Sequence, residues 1–176
     1  TILLSPADYR KLIGEEGAEK YTNKITAFIL DRSEDKLAAL EKVSKVLAMD
    51  YNFAATETED RLAPLEKRIA PSVADWLKAM YYADFIFTDS FHGCVFSILF
   101  NKPFVLYVNR NRGVARFDSL LKLFKIENRT LSDSNELESC RIRQSIDWKP
   151  INAKLEEMRS KSMRFLENAL TAKDEQ

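Results

Sequence analysis

The stretch of this chain richest in chemistry is Phe87-Thr88-Asp89-Ser90-Phe91-His92-Gly93, where one apolar run gives way to another. His92 is the only histidine in the sequence, and it is the one side chain here that titrates near neutral pH without a special environment. If the first run is a strand and the second a helix, the helix begins near Phe91. Its first N–H groups and the positive end of its dipole then face the turn. Such an end is suited to hold phosphate or carboxylate. Ser90 adds a hydroxyl, and Gly93 removes a side chain where a ligand could approach. A plainer reading stands beside this one: Asp89 or Ser90 is an N-cap, Gly93 a packing residue and His92 a hydrogen-bonded surface group.

A second candidate is Asn109-Arg110-Asn111-Arg112-Gly113-Val114-Ala115-Arg116, a polar loop with three arginines within seven residues. Guanidinium groups bind phosphate or carboxylate through two parallel hydrogen bonds. In a parallel sheet this loop leaves on the same edge as the Ser90–Gly93 turn, so the two candidates support each other. By itself the loop reads equally as a solvated basic segment ahead of a helix. Arg141-Ile142-Arg143 has no such context and is read as surface. Cys94 is read as core packing, because its only partner base would be the adjacent His92, on a different helix face. Trp76, Tyr81 and Tyr82 are read as core or rim aromatics.

Composition excludes several classes of function. The 27 Lys+Arg balance the 27 Asp+Glu, whereas a nucleic-acid binder normally carries a basic excess. One histidine and two cysteines, Cys94 and Cys140, cannot build a four-ligand Cys/His metal site, and their usage fits a reducing, cytoplasmic setting. With four glycines, the chain has neither GxGxxG nor GxxxxGK[ST]. The longest apolar runs, around Phe85–Phe87 and Cys94–Phe100, fall short of a membrane-spanning helix. At 176 residues with 45% hydrophobic content and eleven Phe, folding should bury roughly 70% of the unfolded surface without staples.

These residues need elements to position them. Ile25–Leu30 is a nearly continuous apolar run, as expected of a strand covered on both faces. Glu34 to Met49 places Leu37, Leu40, Val43 and Leu47 at helical spacing. Tyr51 to Ala55 reads as a weaker strand, and Thr56 to Glu66 as surface loop. Ser72 and Asp75 mark a helix start after Pro71, with Trp76, Leu77, Met80 and Tyr81 on its apolar face. Asp84–Thr88 is the clearest strand, and Gly93–Phe100 a buried helix stopped by Asn101-Lys102-Pro103. Phe104–Val108 is the next strand, and Phe117, Leu120, Leu121 and Phe124 mark an amphipathic helix. Asn128 to Ser145 carries little signal. A long terminal helix is expected over 150–171, with Pro150 in its first turn. Strands separated by helices predict one α/β domain, a three-layer sandwich with a mainly parallel sheet. The opening Thr1-Ile2-Leu3-Leu4, without Met and inside an apolar run, reads as a cut piece of a longer protein.

Pro71-Ser72-Val73, Trp76-Leu77, Ala83-Asp84, Thr88-Asp89-Ser90-Phe91-His92-Gly93, Phe96-Ser97-Ile98, Lys102-Pro103-Phe104, Arg112-Gly113 and Arg116-Phe117 together resemble the polysaccharide pyruvyl transferase family. The likeness is strong from about Pro71 to Arg129 and covers the second half of a typical member, with residues 1–9 similar to the segment joining the halves. It implies the C-terminal Rossmann-like domain of a two-domain, GT-B-like enzyme whose N-terminal domain is the missing wall of the cleft. It implies an activity too: transfer of pyruvate from phosphoenolpyruvate to sugar hydroxyls of a cell-surface glycan, leaving a ketal. The family's Ser-Phe-His-Gly turn falls on Ser90, Phe91, His92 and Gly93, and its histidine handles the donor. Other branches carry Arg two residues before that histidine, where this chain has Ser90, so Arg112, Arg116 or the other half must supply the cation. No metal or redox cofactor is needed by this route.

Two other readings remain open. One is a GT-B glycosyltransferase half that binds a nucleotide-sugar at the same edge. The other is a non-catalytic glycan- or partner-binding module. The expected setting is the cytoplasm, at the periphery of the inner membrane if the acceptor is lipid-linked. Self-association through the apolar side of the terminal helix is left open.

Overall fold

Phe85, Ile86, Phe87 and Thr88 are all buried, and their side chains alternate between two cores, as the period of a strand requires. Phe85 and Phe87 join Ile25, Ala27, Val105 and Tyr107 beneath one helix, while Ile86 joins Phe104 and Leu106 beneath several others. This two-sided burial makes the strand sequences nearly uninterrupted in apolar residues. The structure, a computed structural model, describes residues 3–56, 62, 64–108, 114–137 and 142–171.

Among the described residues the strands are β1 (Lys24–Phe28), β2 (Asp50–Phe53), β3 (Phe85–Thr88), β4 (Phe104–Tyr107) and β5 (Thr130–Leu131). They form one sheet in the order β2-β1-β3-β4-β5, and every pairing is parallel. The protein is therefore an α/β sandwich with an all-parallel, Rossmann-like sheet. Among the described residues the helices include α1 (Pro6–Ile13), α2 (Glu34–Leu47), α3 (Leu65–Arg68), α4 (Val73–Tyr82), α5 (Phe91–Leu99), α6 (Val114–Phe124) and α7 (Trp148–Thr171). Helix α2 covers one face through Ala39, Leu40 and Val43. Helices α1, α4, α5, α6 and α7 contribute to the core on the other.

Local chemistry sets the helix ends. Ser72 accepts from the Asp75 backbone N–H at 3.1 Å, as its position after Pro71 predicts. Ser33 caps α2 by accepting from Lys36 N–H at 3.3 Å. Helix α1 starts with a full capping box between Ser5 and Asp8 and anchors Tyr9 edge-on against Phe96 and Phe100. The likeness of residues 1–9 to a joining segment does not imply this helix. Asn101 turns the chain out of α5 with φ 55°, a conformation asparagine tolerates better than most residues. Strand β5 is two residues long and carries no periodicity that the sequence could show. The terminal helix starts at Trp148, two residues before Pro150. Its buried residues are Ile151 and Leu155, while Phe165 and Leu170 farther along are exposed. Among the described residues no helix is long and apolar enough to cross a membrane.

Candidate functional site at the carboxyl ends of the central strands

The strand order reverses at β1, which has β2 on one side and β3 on the other. In open parallel sheets the ligand crevice lies beyond the carboxyl ends of the strands at such a switch point. The segments that flank it are Ile29–Arg32 after β1 and Asp89–Gly93 after β3.

Thr88 closes β3 with its side chain fully buried. Its Oγ1 donates to the Phe28 carbonyl at 2.7 Å and accepts from Ser90 N–H at 3.0 Å. One hydroxyl thus ties the ends of the two central strands to the turn. Helix α5 rests on this residue: a Cβ at Gly93 would lie 2.2 Å from Thr88 Oγ1 and 2.8 Å from Thr88 Cβ. The space left by the missing side chain is occupied by Thr88 and is not open to a ligand. Glycine is needed there for close helix–strand packing.

Ser90 is the N-cap of α5 with extended backbone angles, yet its side chain makes no capping hydrogen bond. Among the described residues no side chain claims the first N–H groups of α5. His92 is exposed in this first turn and makes no hydrogen bond or ion pair with the described residues; its ring lies edge-on to Phe91 at 6.3 Å. Phe91 also meets Phe117 of α6, at 5.8 Å between ring centroids. Arg116 lies in the first turn of α6, not in a loop, and its guanidinium carbon sits 5.4 Å above the Phe91 ring. A cation over an aromatic face at that range is attracted to it. The fold thus brings Arg116 beside the Ser90–Gly93 turn. Arg112 and the rest of segment 109–113 lie outside the described residues, as do Cys140 and Arg141.

Asp89 has a role that sequence reasoning missed. Its side chain is 4% exposed, as is that of Lys36, and their Oδ2 and Nζ atoms are 2.6 Å apart. Asp89 also accepts from Leu30 N–H at 2.8 Å and from Asp31 N–H at 3.4 Å. Lys36 Nζ donates in addition to the Asp31 carbonyl at 2.6 Å. In the sequence Lys36 looks like any charge on an amphipathic helix, and Asp89 like an N-cap. Only their pairing across 53 positions identifies them.

Farther along the same edge, Tyr107 at the end of β4 donates its hydroxyl to Asp35 Oδ2. Asp35 also accepts from Ser134 N–H at 3.0 Å, and the Ser134 side chain first, then the Tyr107 hydroxyl, hold its carboxyl below the usual range. Burial, followed by the bond to Asp35, pushes the Tyr107 phenol upward. Cys94 is buried, and that burial pushes its thiol up to about 12, so it is a packing residue and no nucleophile. Trp76 packs between Phe28 and Phe96. Among the described residues no three His, Cys, Asp or Glu side chains converge to hold a metal ion. A cavity of about 750 Å³ opens beside β2 and α4, lined by Arg32, Asn52, Phe53, Asp75 and Trp76 among others; none of Ser90–Gly93 reaches it.

The architecture defines a Rossmann-like domain with an uncapped, histidine-bearing helix start next to its switch point. The polysaccharide pyruvyl transferase family matches residues 3–111, and the chain belongs to that family. The Ser90–Gly93 turn lies inside the matched segment, and Arg112 and Arg116 lie just beyond it. Comparison with curated proteins finds no match. Among solved structures, the glycotransferase of kitacinnamycin is similar at 16% identity with a TM-score of 0.49. That likeness covers 84% of this chain and 43% of the other, so this chain spans less than half the length of that protein.

Proposed function

We propose that this chain is the donor-binding wall of an enzyme that transfers pyruvate from phosphoenolpyruvate to sugar hydroxyls of a cell-surface polysaccharide, forming a pyruvate ketal. The carrying observation is the start of α5: Ser90 makes no capping bond to its first N–H groups, His92 is exposed on it, and Arg116 stands over Phe91. The donor brings a phosphate and a carboxylate. The N–H groups of the Ser90–Gly93 turn, the Ser90 hydroxyl, Arg116 and Arg112 are the groups proposed to hold them.

His92 is assigned as the general acid. Protonating the methylene carbon of the donor leaves C2 as an oxocarbenium-like electrophile. One sugar hydroxyl attacks C2 and loses its proton. The C2–O bond to phosphate then breaks, and a second hydroxyl closes the ketal, giving its proton to the departing phosphate. The net products are the ketal and inorganic phosphate, and no step draws on a metal or redox group. Such acid catalysis is typically worth about 10²–10⁴-fold.

The second wall of the cleft is assigned to a preceding domain in a GT-B-like arrangement, so the 176-residue chain alone is expected to bind the donor and turn nothing over. The test is His92→Ala in the two-domain protein. The expected result is a fall in kcat of roughly 10²–10⁴-fold with little change in KM for phosphoenolpyruvate. A change confined to KM demotes His92 to an anion ligand. Tight binding of a nucleoside diphosphate, with none of phosphoenolpyruvate, replaces this reading with a nucleotide-sugar transferase.

A further inference from the structure

We infer that the buried Lys36–Asp89 pair is a latch that positions the His92 turn, with Asp89 and Lys36 acting as positioning residues for the site proposed above. The inference rests on that reading for its link to catalysis, but its geometry stands independently. Both side chains are only 4% exposed, so neither can touch a ligand in the crevice. What they touch is the opposite bank. Asp89 sits between the last residue of β3 and the N-cap of α5. Its carboxylate engages two backbone N–H groups of the segment after β1, at Leu30 and Asp31. Lys36, from the first turn of α2, closes a ring by bonding both the Asp89 carboxylate and the Asp31 carbonyl. The two segments that flank the switch point are joined through this one side chain.

Stability does not account for such a pair. Two buried charges recover little more than the cost of removing them from water, and apolar replacements of both are often neutral. The latch has two local effects. It fixes the turn that carries His92 to the central strand β1, in register with the Thr88 hydroxyl bond to Phe28. It also holds a carboxylate away from the first N–H groups of α5, which would otherwise attract it. Those groups are left to an external anion.

The test compares Asp89→Leu with Lys36→Met/Asp89→Leu in the 176-residue chain. The single variant strands a buried ammonium and is expected to lower the melting temperature. The double variant removes both charges and is expected to recover most of it. Amide hydrogen exchange then reads placement. In the double variant, Cys94 and Val95 at the start of α5 should exchange at least roughly tenfold faster, while Ile98 and Leu99 stay as they were. Uniform or absent change overturns the latch. So does a double variant that fails to regain the fold, since the pair would then serve folding and not placement. The ring resonance of His92, unique because the chain has one histidine, is titrated in parallel with inorganic phosphate and with phosphoenolpyruvate. A silent wild-type resonance counts against the donor site, and the exchange pattern judges the latch separately.

Discussion

Gly93→Ala sets two well-known effects against each other, and the structure says which one wins. In a helix interior alanine is favoured over glycine by about 0.8–1.0 kcal/mol, so propensity alone predicts a more stable protein. The added methyl, however, would lie 2.2 Å from Thr88 Oγ1, 2.8 Å from its Cβ and 3.0 Å from its Cγ2. Thr88 cannot yield easily: it is fully buried, β-branched, and bonded through Oγ1 to Phe28 and Ser90. Overpacking of this kind costs about 1–3 kcal/mol, and each hydroxyl bond lost adds about 0.5–1.5 kcal/mol. With one hydroxyl bond lost and the propensity gain subtracted, the expected net effect is a destabilisation of about 0.5–4 kcal/mol. For a chain of this length each kcal/mol lowers Tm by about 2–4 °C. Thermal and urea unfolding of the wild type and the variant measure it directly. Adding Thr88→Ala removes the 2.2 and 3.0 Å contacts but keeps the one at 2.8 Å, so relief should be partial. A Gly93→Ala protein as stable as the wild type, or more so, refutes the packing account.

Arg116→Ala should weaken phosphoenolpyruvate binding by about tenfold to a hundredfold, the equivalent of one charge-assisted hydrogen bond; calorimetry that shows unchanged affinity removes Arg116 from the donor site. Cys94, its thiol raised to about 12 by burial, should resist alkylation in the folded chain at about pH 8 while reacting after unfolding. Peptide mapping that finds rapid native labelling at Cys94 contradicts its packed position. Asp35 has a folded pKa below its unfolded one, so its contribution to stability is present above about pH 4 and is lost as pH falls through the folded value. Urea midpoints across the acid range should therefore fall less steeply for Asp35→Asn than for the wild type, and parallel curves rule this contribution out.

Much of the domain is legible from the chain itself because its signals are local. The apolar runs of β1, β3 and β4 reflect burial on both faces, and the Ser72–Asp75 spacing marks the start of α4. The strand-to-helix change at Thr88–Gly93 could be found with no knowledge of the fold, and so could the position of His92 within it. Helix α1 and strand β5 were not legible. The first depends on Tyr9 finding Phe96 and Phe100, and the second is only two residues held by pairing to β4.

At the site, residue types were set by the sequence and their duties by tertiary structure. Gly93 is required in either reading, but only the approach of α5 to Thr88 shows that packing creates the requirement. Arg116 is a charge in a basic stretch until α6 carries it over Phe91. Asp89 and Lys36 are unremarkable apart, and they become a pair because the parallel order β1-β3 brings the ends of two distant segments together. Short-range patterns encode which faces are apolar and where helices begin. The meeting of side chains 53 positions apart depends on strand order, which no local pattern carries.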